Sequence, residues 1–128
     1  MNIKRIFIAL LLLAPLFANA QDWFKANAIC FATDGEYSEW QKCNINVFIG
    51  DDMKVKIYAK ENHIIRKTKD GEAMVDEYGV EHLFWMGVDE KGSDCIICMK
   101  SDTENYIHLM ITFIEDNFVI CYNLVPDE

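Results

Sequence analysis

Apolar and polar residues alternate along much of this chain. Cys43, Ile45, Val47 and Ile49 alternate with Asn44, Asn46 and Phe48. Met53, Val55, Ile57 and Ala59 alternate with Lys54, Lys56, Tyr58 and Lys60. Successive side chains of a strand point to opposite faces, so each run predicts a strand with one buried and one wet face. Gly50-Asp51-Asp52 between them is hairpin-turn chemistry. Similar punctuation follows at Asp34-Gly35, Asp70-Gly71, Tyr78-Gly79, Lys91-Gly92-Ser93 and Asp116-Asn117.

Strands are therefore predicted near 26–33, 43–50, 53–60, 62–68, 72–78, 80–89, 94–100, 105–115 and 118–125. The expected fold is all-β: an antiparallel meander of eight or nine short strands forming a small lipocalin-like barrel or a sandwich. Taking Asp116-Asn117 as a two-residue turn sets Phe113 opposite Ile120 and Leu109 opposite Leu124. One face then collects Leu109, Ile111, Phe113, Ile120, Tyr122 and Leu124, and a one-residue slip would mix the two faces.

The two halves of the chain differ. The strands at 80–89, 94–100 and 105–125 are apolar on both faces, as in Leu83-Phe84-Trp85-Met86 and Cys95-Ile96-Ile97-Cys98-Met99. Such strands need cover on both sides. A second sheet, the segment Asp22-Trp23-Phe24, a ligand or a second copy of the chain in a homo-oligomer would each supply it.

The first twenty residues stand apart. Lys4 and Arg5 precede the apolar run Ile6–Phe17, and Ala18-Asn19-Ala20 closes it. That is the order of a secretory signal peptide. The run falls short of the roughly 20 apolar residues that span a bilayer, and residue 21 is Gln rather than a lipidated Cys. The expectation is a leader at 1–20 and one exported β-rich domain at 21–128, periplasmic or extracellular, with no membrane anchor after cleavage. Removing Lys4 and Arg5 leaves 10 basic residues against 21 acidic ones, a formal charge of −11 in place of −9. No basic cluster is present to hold nucleic acid, whereas a basic protein partner would be attracted.

Cys30, Cys43, Cys95, Cys98 and Cys121 all follow the leader, and export permits disulfides. Cys30 and Cys43 flank the turn-like stretch Asp34–Gln41 and form a disulfide pair if their strands are neighbours. If the first strand closes a barrel against the last, Cys30 meets Cys121 instead. Cys95-x-x-Cys98 has knuckle spacing, but Ile96-Ile97 favours an extended strand, which sends positions i and i+3 to opposite faces. No metal or cofactor site is expected.

His63, His82 and His108 occur singly, and no Gly-rich phosphate loop or G-x-S-x-G elbow appears. The acid runs Asp51-Asp52, Asp76-Glu77, Asp89-Glu90 and Glu115-Asp116 read as solvated turns. Aromatic residues are the strongest recognition signal. Tyr37 and Trp40 fall in the loop expected at 34–42, and with Trp85 they are the candidate ligand- or partner-binding residues. The stretch Trp40-x-x-x-Asn44-Ile45 with Lys54-Val55-Lys56-Ile57-Tyr58 resembles small uncharacterised bacterial β-proteins, which implies a β-rich fold and carries no activity. The functional expectation is a non-catalytic binding protein that recognises a protein, of inhibitor or immunity type. A carrier of a small apolar ligand and a structural envelope protein are the alternatives.

Overall fold

A computed structural model describes residues 23–50, 52–101 and 107–126. The leader, Asp51 and Tyr106 lie outside the described residues. Nine strands and no helix occur among those described. They are β1 (Trp23–Thr33), β2 (Glu36–Tyr37), β3 (Gln41–Ile49), β4 (Val55–Tyr58), β5 (Asn62–Val75), β6 (Glu81–Val88), β7 (Asp94–Ser101), β8 (Ile107–Phe113) and β9 (Phe118–Pro126).

Each of β3 to β8 pairs antiparallel with its successor, and β1 pairs with both β3 and β9. The sheet thereby closes into an eight-stranded barrel, with the two-residue β2 added along one edge of β1. Closure removes the unpaired edges that an open meander would expose. An eight-stranded barrel is narrow enough for side chains to fill it. Here Phe24, Val47, Ile57, Ile65, Trp85, Ile97, Met99, Leu109, Ile111 and Leu124 do so, each almost wholly buried. Phe118 stacks between Phe31 and Phe113 at one end of the interior, with ring centroids 5.9 and 6.3 Å away respectively.

The alternation predicts the faces correctly. Cys43, Ile45, Val47 and Ile49 pack inward, as do Val55 and Ile57. The last hairpin also keeps its predicted faces but not its predicted register. Leu109 stands opposite Tyr122 and Phe113 opposite Phe118, because the connection spans four residues, 114–117, rather than two. The shift is two residues, so every side chain stays on its side.

One predicted turn is a correction. Asp70-Gly71 does not separate two strands but lies inside the single long β5. The β5–β6 register shifts between Lys67 and Lys69 and again between Lys69 and Glu72. The extra residues bend β5 around the barrel as bulges do. A Cβ on Gly71 would sit 2.5 Å from the Phe84 carbonyl oxygen, so only glycine lets the bulged strand approach β6 this closely.

The strands apolar on both faces are not covered by a second sheet among the described residues. Their outward side chains include Phe84, Met86, Ile96, Met110 and Ile114, of which Ile96 and Ile114 are exposed.

Candidate recognition surface

The connection from β1 to β3 builds the most irregular part of the surface. Asp34 and Gly35, with φ of 52° and 85°, form the tight turn between Thr33 and Glu36. Positive φ at both central residues is what a two-residue hairpin needs, and Asp-Gly supplies it cheaply. Beyond Tyr37 the ladder breaks. The Ser38 N–H donates to the Phe31 carbonyl at 2.7 Å, and the Phe31 N–H donates to Ser38 Oγ at 2.9 Å. The side chain thus replaces a backbone acceptor, and Ser38–Trp40 bulge away before pairing resumes at Gln41.

Trp40 leaves this bulge across the outside of the barrel and meets the His108 ring, with centroids 5.7 Å apart and planes tilted by 49°. Ala28 and Asn123 lie between them, and the four residues line a groove of about 270 Å³. Ala28 is too short to fill that space. Asn123 Nδ2 donates to Asn27 Oδ1 at 2.8 Å, and Asn27 is the bulge residue of β1. The Asn123 amide oxygen is buried without a hydrogen-bond partner among the described residues. Trp40 is half exposed and Tyr37 more so, at 60%. Both of these predicted binding residues therefore stand on the surface of the same β1–β3 connection.

Trp85, the third candidate, does not join them. It is 2% exposed and belongs to the interior cluster, because β6 turns Leu83, Trp85 and Gly87 inward. It borders a groove of about 240 Å³ beside the β5 bulge, where Lys69, Glu72, Phe84 and Ile96 also line the wall. The structure also brings together three aromatics that the sequence offers only singly. Trp23 packs on Phe48 and Tyr58 at 5.0 and 5.5 Å on the outer side of β1, β3 and β4. The register Trp23–Phe48 and Asn46–Tyr58 joins residues far apart in sequence, which no local pattern reveals.

The topology also sorts charge. The turns at 34–35, 59–61, 89–93 and 114–117 all fall at one end of the barrel. The Asp34 N–H donates to the Asn117 carbonyl at 3.2 Å, and Asn117 Nδ2 donates to Asp34 Oδ1 at 3.0 Å, which ties two of these turns together. Glu90 ties a third to β5, accepting from the Ile64 N–H at 3.2 Å and lying 3.3 Å from His63. Glu36, Glu61, Asp94, Glu115 and Asp116 are exposed at this end, against Lys60 and Lys91. Asp89 is an exception and a correction to the solvated reading. It is 8% exposed, and its Oδ1 accepts from the N–H groups of Lys91 and Ser93 at 2.9 and 2.8 Å.

Asp76 plays the same part at the opposite end, accepting from the Tyr78 and Val80 N–H groups at 2.9 Å each and from His82 Nε2 at 2.9 Å. The hydrogen bond from His82, with that from Val80, holds this carboxyl below its ordinary 3.8. A folded-state pKa lowered in this way contributes stability above the unfolded value, lost as pH falls through the folded one. Asp76→Asn should therefore lower the urea midpoint at pH 7 and converge with the parent below about pH 4. A difference that persists unchanged at pH 3 would show that the carboxylate charge is not involved.

His82 Nδ1 lies 4.0 Å from Cys98 Sγ, which completes a Cys–His–Asp series on the outer face of β6 and β7. Burial pushes the Cys98 thiol up to about 11. A nucleophile needs thiolate, and this environment suppresses it. In the folded protein Cys98 should alkylate with iodoacetamide at least about tenfold slower than in urea at pH 8. Faster reaction in the folded state would mark a reactive thiol.

The remaining cysteines are also placed. Cys95 faces the interior and Cys98 the outside, as alternation requires, so they share no ion. Among the described residues no cluster of His, Cys, Asp and Glu has a geometry able to hold a metal ion. The predicted pair of Cys30 with Cys43 is corrected. Cys43 points inward, with its Sγ 3.3 Å from the Ala26 carbonyl, whereas Cys30 points outward and stands opposite Cys121.

Comparison of the chain with protein-family models, with curated proteins and with solved structures finds no match to any of them.

Proposed function

We propose that the chain is an exported, non-catalytic binding protein that recognises a basic protein through the outside of its barrel. The observation that carries this reading is the joining of two features in one place. The acidic turns gather at one end, the exposed Tyr37 lies beside the Asp34-Gly35 turn, and the half-exposed Trp40 continues the same connection down the barrel wall to His108. A rim of like charge raises the encounter rate with an opposite charge, and exposed aromatics supply the desolvated contact. The filled interior favours this over a carried ligand, which would need the space that Trp85, Met99 and Leu109 occupy. The suppressed Cys98 thiol favours binding over thiol catalysis.

The test is affinity capture from an exported-protein fraction at low and physiological salt. The parent is compared with a charge-reversed form (Glu36, Glu61, Glu115 and Asp116 to Lys) and with Tyr37→Ala/Trp40→Ala. The parent should retain a basic protein that both variants lose, and salt should weaken the parent's hold by at least about tenfold. Identical capture by all three proteins at both salt concentrations would reject the proposal.

A further inference from the structure

Cys30 and Cys121 are directly opposite one another at the seam where β1 closes on β9. Opposed residues of an antiparallel pair have Cα atoms about 4.5 or about 5.5 Å apart. Both spacings fall inside the roughly 4.4–6.8 Å that a disulfide accepts. We infer that Cys30 and Cys121 are a site of covalent modification, a cross-strand disulfide that locks the barrel seam, made by exchange with a small-molecule disulfide or a dithiol oxidase.

No other cysteine competes for Cys30 or Cys121. Cys43 and Cys95 face the interior. Cys98 shares the outer row, but Met110 on β8 stands between it and Cys121. Two strand spacings put Cys98 and Cys121 about 10 Å apart, beyond disulfide reach.

The step balances by exchange. One cysteine thiolate attacks a sulfur of the small disulfide, breaking its S–S bond and releasing one thiol. The second cysteine then attacks the protein sulfur of this mixed disulfide and releases the other thiol. Two cysteines are oxidised, the small disulfide is reduced to two thiols, and the cysteine protons end on the released thiols. Cys30 and Cys121 are each 4% exposed, although they face outward on a sheet with no second layer over it among the described residues. They lie on the strip of β1 and β9 that the Tyr37–Trp40 bulge flanks. Burial and the neighbouring Cys30 also hold the Cys121 thiol up to about 12. Exchange is therefore slow in the closed fold, and the bond forms while β1 and β9 come together. Neither the geometry nor its test depends on the functional reading above.

The experiment refolds the full reduced chain in a buffer of reduced and oxidised glutathione, then unfolds it and alkylates the remaining thiols. Mass spectrometry of the intact and digested protein should show three alkylated cysteines, Cys43, Cys95 and Cys98. It should also show one linked peptide pair joining the segments that carry Cys30 and Cys121. Cys98→Ala should keep that link, and Cys30→Ala should abolish it and leave Cys121 alkylated. Five alkylated cysteines in the refolded parent, or a link to any other partner, would overturn the inference.

Discussion

Trp85→Ala is expected to destabilise the barrel by about 3–5 kcal/mol, read as a lower urea midpoint. Trp85 is among the largest fully buried side chains, inside a closed ring of hydrogen-bonded strands. The cost of such a truncation depends on how far the surroundings collapse into the space left. Here β6 is held by β5 on one side and by β7, through Trp85 opposite Ile97, on the other, so collapse is limited. Against a typical total of about 5–15 kcal/mol, the loss leaves a domain close to unfolding. Trp85→Phe should behave differently. The indole Nε1 is buried without a partner among the described residues. Removing an unsatisfied donor recovers about 1–3 kcal/mol, which offsets much of the lost contact. We expect Trp85→Phe to lie within about 1 kcal/mol of the parent. Equal losses for Ala and Phe would mean that the indole nitrogen, not the volume, is what the site requires.

Gly87→Val is expected to cost about 3 kcal/mol by overpacking, measured in the same denaturation. Gly87 faces the interior two residues beyond Trp85. A Cβ there would lie 2.8 Å from the Arg66 carbonyl oxygen, 2.8 Å from Ile65 Cγ2 and 3.0 Å from Ile97 Cδ1. The carbonyl is backbone within the β5–β6 ladder and cannot swing aside as a side chain would. Both isoleucines are already buried in a filled core. Gly87→Ala should show a smaller loss in the same direction. A Gly87→Val protein as stable as the parent would mean that β5 shifts freely at its bulge, between Lys67 and Lys69.

These two sites differ in how far the sequence exposes them. Trp85 sits in a run, Leu83-Phe84-Trp85-Met86, whose two faces are equally apolar, so alternation does not say which face is the core. The closed sheet decides it, turning Trp85 inward and Phe84 outward. Gly87 carries no local signal at all, since its need for a bare α-carbon comes from β5 crossing close beside it. Tyr37 and Trp40 were legible because large aromatics in a turn-rich stretch have little local reason to be there. Their neighbours Ala28, His108 and Asn123 were not, because they come from three other places in the chain.

Local chemistry by itself determined the all-β class, the inward face of strands such as 43–49 and 55–58, and the turns at Asp34-Gly35 and Lys91-Gly92. It could do so because a side-chain period of two and a positive φ are properties of adjacent residues. Only the tertiary structure decided that β1 closes on β9, that Asp70-Gly71 bulges rather than turns, and that Cys30 faces Cys121 instead of Cys43. Those outcomes depend on which strand lies beside which, and that choice is made by burying all the inward faces at once in one closed ring.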